Sequence, residues 1–476
     1  MWNKTLKKES ILIFAIKFFL ILLLLQVPLI ALFKYKLKLV PDAIWLWKEI
    51  LIILVFIWDI YLIFKNPYLA QKFFENSTIK TVTIWTIFLG IWALVLAFVH
   101  PSSILGYVLF VKYDIFYLIV LLSLSFASYY LASTNQQIFK NLYNFLLIFT
   151  KKWLPNLIIL SFFWYAMIFT KPSFLTHIGY QKNLINSAMH LSQPIAAQKT
   201  EILYGFVRNQ FVFELPLWRA FFLTAFFPIY FVMVLKKLKF QKTIINWSLW
   251  LLAIMLTFSR AAIATFLLES IVLFWMFFLS SKKYFKKLLI WWGVLILLML
   301  PFIYKWYTSR SGSNTWHFIF TYETRKLVQN KPILGRGPGS SGAASHQLCR
   351  LKPHLQVCNK ISQINSKWGS EFLKWLNPEN HYLQIRMELW IIGFLIWLGI
   401  HLNLLKPIMY LKTKGTHIQK LLGARSFGLA ALLLQSIVLH PLSERIVTYF
   451  FMTIGGIIWG LYLSQKSSKD SLKADS

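Results

Sequence analysis

The chain has 476 residues, of which 58% are hydrophobic and 18% aromatic, and its formal net charge is +34. Only 14% of the residues are charged, against about 25% in soluble domains. This composition excludes a soluble globular protein and indicates a chain that crosses a membrane many times. The positive charge does not indicate nucleic-acid binding, because much of it lies in lysine clusters beside apolar runs, where lysine sets topology and meets anionic headgroups.

The sequence contains twelve candidate membrane spans, each close to the roughly 20 residues that cross a bilayer. They lie near residues 10–33, 42–64, 79–99, 112–132, 143–170, 217–235, 244–259, 261–280, 287–305, 381–406, 422–440 and 445–464. The first is too long for the apolar part of a signal peptide and has no small-residue cleavage site. The predicted fold class is therefore an all-α polytopic membrane protein.

Lysine placement predicts the orientation of these spans. With twelve crossings, five clusters fall on one face, which the positive-inside rule assigns to the cytoplasm together with both termini. They lie within residues 4–8, 236–242, 282–287, 406–420 and 466–473. The cluster Lys34, Lys36 and Lys38 falls on the opposite face and is an exception.

Residues 244–280 form a run without Gly or Pro, which as one helix would be about 55 Å long against a hydrocarbon core of about 30 Å. Two spans that meet near "TFSRAA" fit the membrane better, and they place Ser259 and Arg260 at the outer surface. Two long loops, near residues 171–216 and 306–380, are expected on that same face.

The predicted organisation is a membrane section over residues 1–305, a large outer loop over 306–380 and a second membrane section with a cytoplasmic tail over 381–476. The loop carries ten Lys or Arg residues and three acids. Such a surface suits an anionic partner, such as a phosphate or a lipid headgroup, or is a solvated basic loop.

The only cysteines of the chain, Cys349 and Cys358, lie in this loop. An oxidising outer compartment favours a disulfide between them, and their spacing from nearby histidines matches no zinc pattern. "GRGPGSSG", residues 335–342, lacks the Gly-Lys-Ser/Thr of a nucleotide-binding loop. It indicates a tight turn, whose backbone amides would be free to face an anion.

Five stretches in a fixed order resemble the O-antigen ligase and polymerase superfamily of bacterial membrane glycosyltransferases. They are "YGFVRNQFVFELP" before a span, "LTFSRAA" at a hairpin, "SRSGSNTWHF" at the start of the long loop, "NKPILGRGPGSSG" within it, and "NPENHYLQIRMELWIIGF" at its end. The resemblance covers roughly residues 200 to 400.

The resemblance implies a GT-C-like helical bundle in the bacterial inner membrane, with an outer cavity that the long loop caps. It also implies a metal-independent transfer without a cofactor. Glycan leaves an undecaprenyl-pyrophosphate carrier for an acceptor hydroxyl. The partners are then the lipid-linked glycan, a glycan or lipid acceptor and membrane lipids, with no nucleic acid.

The resemblance also implies site residues. Four arginines are candidates to bind the pyrophosphate, since fixed guanidinium groups stabilise a leaving phosphate; they are Arg208, Arg260, Arg310 and Arg336. Ser259 supports Arg260. A charged side chain at a helix end would also explain Arg260, and a tight turn would explain the surroundings of Arg336.

Glu379 and His381 are the two candidates for the general base that deprotonates the acceptor. Glu379 stands at the position of the family's His, and Asn380 stands at the position of its Asn. His381 is two residues later but is of the same residue type as the family's base. Capping of the following helix would also explain Glu379 and Asn380. Glu388 matches a family Glu and is interpreted as structural, because an acid in an apolar run is costly unless paired. Trp390 stands where the family has Gly.

Three functions remain open within this family: a ligase, a polymerase and a protein-glycosylating enzyme. A transporter of lipid or glycan is the alternative from another class, and buried charges at mid-depth in several helices would favour it. A receptor or structural role is the third possibility.

Overall fold

The protein is described by a computed structural model. It describes residues 14–26, 29, 47–100, 103–170, 216–235, 240–257, 259–278, 290, 293, 318, 319, 321–326, 329, 335–351, 354, 358, 359, 380–413 and 415–474. Within these residues the chain is helical and contains no strand, which confirms an all-α polytopic membrane protein.

Fifteen helices carry labels here. They are α1 (Phe14–Gln26), α2 (Trp47–Lys65), α3 (Pro67–Glu75), α4 (Ser77–Val99), α5 (Ser103–Phe110), α6 (Phe116–Thr134), α7 (Gln136–Ile148), α8 (Leu154–Thr170), α9 (Pro216–Met233), α10 (Phe240–Met255), α11 (Arg260–Phe278), α12 (Gly342–Leu351), α13 (His381–Leu405), α14 (His417–Gln435) and α15 (Arg445–Ala474). Two π-helical turns join α5 to α6 (Val111–Ile115) and α7 to α8 (Phe149–Trp153), and two 3₁₀ turns follow α13 (Lys406–Leu411) and α14 (Pro441–Ser443).

Eleven of the twelve predicted spans contain a helix, and the ninth, near 287–305, lies almost entirely outside the described residues. Six helical stretches of the described chain are long and apolar enough to cross a membrane. The predicted break near residue 259 is confirmed, because α10 ends at Met255 and α11 begins at Arg260.

Local signals set several helix starts. Asn76 and Asn380 each accept a hydrogen bond from the backbone amide three residues later, which is the usual role of Asn at an N-cap. Thr416 and Gln419 form a complete capping box. That box starts α14 at residue 417, whereas hydropathy alone had suggested a span near 422–440.

The core of the bundle is the pair α6 and α15. The most apolar window of α15 is 100% buried, whereas that of α4 is only 33% buried, so α15 is central and α4 presents much of its surface outward. Gly456 and Gly460 on α15 allow close contact with α6, since a Cβ on Gly460 would lie 2.6 Å from the Ser125 carbonyl oxygen. Small residues four apart are a common means of close helix packing in membranes.

The helices run so that several starts lie at one end of the bundle. Tyr449 lies against Lys112 and Gly460 against Ser125, so α6 and α15 are parallel. The start of α13 lies beside the same π turn, because His381 is next to Asp114. We call this end, with Lys112–Asp114, Asn380–His381 and Pro441–Arg445, the site end.

The hairpin before α11 belongs to the site end as well. Aromatic rings pair in the same order along α9 and α11, so these two helices are parallel. Gln435 at the end of α14 donates a hydrogen bond to Thr224 in the first half of α9, and the next residue, Ser436, accepts from the His381 amide. Ser259 and Arg260 therefore lie at the same end as the start of α13.

Candidate functional site

The glycine-rich turn of the large loop is held by one carboxylate. The amides of Gly339 and Ser341 each donate to Glu388 at 3.0 Å, and the Ser341 hydroxyl donates to it at 2.7 Å. Glu388 and Ser341 are buried. Three donors offset the cost of burying this acid in an apolar helix, so Glu388 ties the loop to α13.

Glycine is required in this turn for two reasons. Gly335, Gly337, Gly339 and Gly342 all have positive φ, which side chains with a Cβ rarely adopt. The turn is also wedged between α5 and α13: a Cβ on Gly339 would lie 2.6 Å from the carbonyl oxygen of Gly106 on α5. The predicted tight turn is thus present, and the anion that its amides face is Glu388.

A break in α13 prepares the surface on which the turn lies. Trp390 has φ 59° and ψ −172°, a conformation that is almost confined to glycine. This residue interrupts the helical hydrogen bonds. The carbonyl of Met387 accepts instead from the amide of Arg336 at 2.9 Å, and that of Leu389 accepts from the Trp92 indole at 2.9 Å.

Arg336 is consequently fixed by its own backbone against α13. Its side chain is half-buried, and burial lowers the pKa of its guanidinium. An arginine remains a cation near neutral pH even so. The structure thus attaches Arg336, one of the four candidate arginines, to α13.

Arg260 and Ser259 start α11 at the same end of the bundle. The Ser259 hydroxyl accepts from the amide of Ala262 at 3.4 Å, so it acts as a helix cap. Ser259 is buried and Arg260 is partly exposed. The Ser259 hydroxyl is thus used within the helix start, and the placement of both residues at the outer surface of the membrane stays a prediction.

The start of α13 is anchored in a buried polar cluster. His381 is buried; its amide donates to Ser436, and its Nδ1 lies 3.3 Å from the Ser443 hydroxyl. Its Nε2 lies 3.8 Å from Asp114, beyond hydrogen-bond distance. His381 is thus enclosed by protein, whereas Asn380, one residue before it, is only partly buried.

Asp114 is the member of this cluster that the sequence analysis missed. It lies on the π turn before α6, and it accepts from Ser443 at 3.2 Å and from Gln384 at 3.4 and 3.5 Å. π turns occur frequently at functional sites. The available signal was an acid inside the predicted fourth span, which is a candidate functional residue by default.

His440 closes the cluster from the segment between α14 and α15. Its ring lies 5.8 Å from that of His381. Burial lowers the pKa of His440 to about 3, so the ring is neutral at physiological pH. Within the described part of the chain, neither of its ring nitrogens has a hydrogen-bond partner.

The cysteine pair lies next to the turn. A disulfide joins Cys349 on α12 to Cys358. The buried face of α12, formed by Ala344 and Leu348, packs with Leu109 and Tyr113. The loop is therefore attached to the bundle on both sides of the glycine turn, by α13 and by the α5–π segment.

Three of the predicted site residues, Arg208, Arg310 and Glu379, lie outside the described residues. Among the residues that are described, no group of three or more His, Cys, Asp or Glu side chains is arranged to hold a metal ion. Buried ionisable groups also occur near the middle of three helices, at Asp59, Glu269 and Arg425. Asp59 accepts a short hydrogen bond from Ser123, and both Glu269 oxygens lack a partner among the described residues.

Comparison with known proteins gives one match. A family model described as O-antigen ligase matches residues 245–398, which extend from α10 into α13 and include the glycine turn, Glu388 and His381. No curated protein and no solved structure matches the chain significantly.

Proposed function

Because a family model described as O-antigen ligase matches residues 245–398, we propose that this protein transfers glycan from an undecaprenyl-pyrophosphate carrier to an acceptor hydroxyl. Members of the family are glycosyltransferase-like enzymes of polysaccharide biosynthesis. We place the reaction at the site end, on the outer face of the bacterial inner membrane, with both termini in the cytoplasm. A cavity capped by loop 306–380 would hold the reactants there.

The attachment of the glycine turn to Glu388 is the observation that carries this proposal. It holds the turn, with Arg336, against α13, which begins two residues after Glu379 in the sequence. A cation proposed for the leaving group is thereby tied to the helix that follows the proposed base. Fixed geometry of this kind is what lowers the barrier of a transfer between two bound reactants.

In the proposed reaction the acceptor oxygen attacks the anomeric carbon of the donor sugar. The new carbon–oxygen bond forms as the bond to the pyrophosphate oxygen breaks, and undecaprenyl pyrophosphate leaves. Arg260, Arg336, Arg208 and Arg310 are proposed to stabilise the charge that develops on it, in place of a metal ion. The acceptor proton passes to the general base.

We assign the base to Glu379 and a positioning role to His381. The His381 ring is buried and surrounded by Asp114, Ser443 and His440, so it is closed to an acceptor hydroxyl in this structure. Asn380 caps α13. Glu379 is next to it in the sequence and supplies the carboxylate in this proposal.

Deletion of the gene tests the proposed function. The measurement is the chain length of glycan left on undecaprenyl pyrophosphate. Long polymer on the carrier with bare acceptor would identify a ligase, and single repeat units on both would identify a polymerase. An unchanged lipid-linked pool and unchanged surface glycan, in a host without a second homologue, would exclude both.

Substitution of the two candidate bases is the first prediction. Glu379→Gln should lower transfer in membranes by about 10²–10⁴-fold, the usual contribution of a general base, without loss of protein. Glu371→Gln, at another acid of the same loop, is the control and should retain activity. His381→Ala should lower the yield of folded protein more than it lowers the rate per folded molecule. Full activity of Glu379→Gln would contradict the assignment.

A transporter is the second candidate, and the buried charges at Asp59, Glu269 and Arg425 favour it. Such groups mark ion or substrate paths in many transporters. Reconstitution in vesicles separates the two functions. A transporter would move labelled lipid-linked glycan between leaflets without a glycosidic bond being formed, and that activity would depend on these three side chains rather than on Glu379.

A further inference from the structure

A second charged cluster lies at the site end, away from the glycine turn. Arg445 donates to Glu49 at 2.9 Å, and the Lys48 ammonium lies 3.7 Å from the same carboxylate. The Lys112 ammonium lies 5.7 Å from the centre of the Tyr113 ring, and the Arg445 guanidinium lies 4.8 Å from it. The starts of α2 and α15 and the π turn before α6 thus bring three cations to one place.

The cluster has an excess of positive charge. Arg445 and Lys112 lie near one carboxylate, Glu49, and no other carboxylate of the described chain is paired with either of them. The Lys48 side chain is only 1% exposed and that of Arg445 only 19%. Cations that are partly withdrawn from water favour a bound anion.

An apolar cavity of about 280 Å³ lies along the same helices. It is lined by residues of α1, α2, α6 and α15, among them Leu51, Val55 and Val120. Leu51 is three residues from Lys48, about 4.5 Å along the helix. Ala15 and Leu54 line the cavity and are exposed, so it opens at the lipid-facing side of the bundle.

We propose that the cationic cluster and this cavity form one binding site for an anionic phospholipid. Its phosphate lies against Arg445 and Lys112, and one acyl chain enters the cavity between α1 and α2. The combination of cations with an adjoining apolar cavity selects a lipid over free phosphate. The cavity is at the lower limit of small-molecule pockets, about 300 Å³, so it takes part of one chain while the second chain remains in the bilayer.

This site does not depend on the proposed transfer reaction. Its cations are not those proposed for the leaving group, and its cavity is lined by helices outside residues 245–398. A bound lipid would join α1 and α2 to the central pair α6 and α15. It would therefore support the wall of the bundle next to the π turn that carries Asp114.

The test uses the purified full-length protein and a phosphatidylglycerol probe with a photoreactive diazirine on one acyl chain. Mass spectrometry of the labelled peptides is expected to find adducts within residues 15–19 and 51–58. Lys112→Gln should reduce the yield there about fivefold, since one basic residue contributes about 1 kcal/mol to the binding of an anionic lipid. Val55→Phe, which fills the cavity, should abolish those adducts.

Lys65→Gln is the matched control, because this exposed lysine lies at the other end of α2; it should leave labelling unchanged. Elution as a single species shows that each variant is folded. If Val55→Phe is not folded, the labelling of Lys112→Gln alone tests the proposal. Equal labelling by a phosphatidylcholine probe, or labelling that neither variant reduces, would overturn the proposal. Displacement by undecaprenyl phosphate but not by unlabelled phosphatidylglycerol would overturn it too, since the site would then belong to the carrier lipid.

Discussion

Glu388 and Trp390, two residues apart on α13, are both unfavourable in an apolar helix, one because of its charge and the other because of its backbone conformation. Glu388 brings an acid into an apolar helix, and three donors from the loop make its burial tolerable. Trp390 breaks the helix just beyond it, at a φ of 59°. The break leaves the Met387 carbonyl to accept the Arg336 amide. One strained residue therefore creates part of the surface that receives the loop.

Substitution at residue 390 is expected to reverse the usual order of helix stability. In an ordinary helix Ala is more stable than Gly by about 1 kcal/mol. Here Trp390→Gly should be more stable than Trp390→Ala by about 1–3 kcal/mol, because only Gly adopts this conformation without strain. Both variants lose the indole, so the difference between their stabilities measures the effect of the backbone conformation.

Thermal unfolding of the two purified variants, in the same detergent, measures this difference. A melting temperature for Trp390→Ala that equals or exceeds that of Trp390→Gly would show that α13 is continuous through residue 390.

At the scale of the elements, the glycine turn is the connection between the loop and two helices. It touches α5 through Gly339 and α13 through Glu388, so a change in the turn should release the loop while the bundle stays folded. The bundle has its own core in α6 and α15, which involves none of the loop residues that the structure describes.

Gly339→Ala should detach the loop. The added Cβ meets the Gly106 carbonyl oxygen, and the positive φ costs a further 1–3 kcal/mol or so. Transfer activity should fall at least tenfold, and trypsin should cleave the loop faster at Arg336. Gly90→Ala on α4 is the control, because a Cβ there meets nothing within 4 Å. If Gly339→Ala retains both activity and resistance to trypsin, the turn does not hold the loop in place.

The sequence predicts elements better than the contacts between them. Apolar runs locate the spans, and the Ser-Arg pair locates the hairpin before α11, since both are local signals. The turn at residues 335–342 and the need to pair Glu388 are also visible in the sequence. The sequence does not show that the donors of the turn pair with Glu388, because 47 residues separate Ser341 from Glu388. Asp114 and His381 are 267 residues apart, and hydropathy carries no signal for such a contact.

Several polar clusters of the described chain lie at one end of the bundle. The glycine turn, the start of α13, the hairpin before α11 and the Lys48–Lys112–Arg445 cluster all lie at the site end. Helices α2, α6 and α15 have parallel directions, and each is an even-numbered span in the twelve-span scheme. That agreement supports an unbroken alternation of the chain across the membrane.

The proposed orientation predicts which surface residues a reagent in the outer compartment will reach. Single cysteines introduced in the chain with Cys349 and Cys358 replaced by Ser serve as reporters. A membrane-impermeant maleimide added to intact cells with a permeable outer membrane should label residue 380. It should not label residue 413, which follows the 3₁₀ turn Lys406–Leu411 after α13, until the inner membrane is opened. The opposite pattern would place the site end in the cytoplasm and exclude an extracytoplasmic transfer.

The tie between the turn and Glu388 also sets an order in biogenesis. The ribosome makes α5 first, then the glycine turn, and only 47 to 49 residues later the carboxylate that holds it. During synthesis the turn can rest on α5 and its disulfide can close while its amides still lack their final acceptor. Membrane integration of α13 is therefore the event that locks the loop, and a nascent chain stalled before residue 388 would carry an unlocked one.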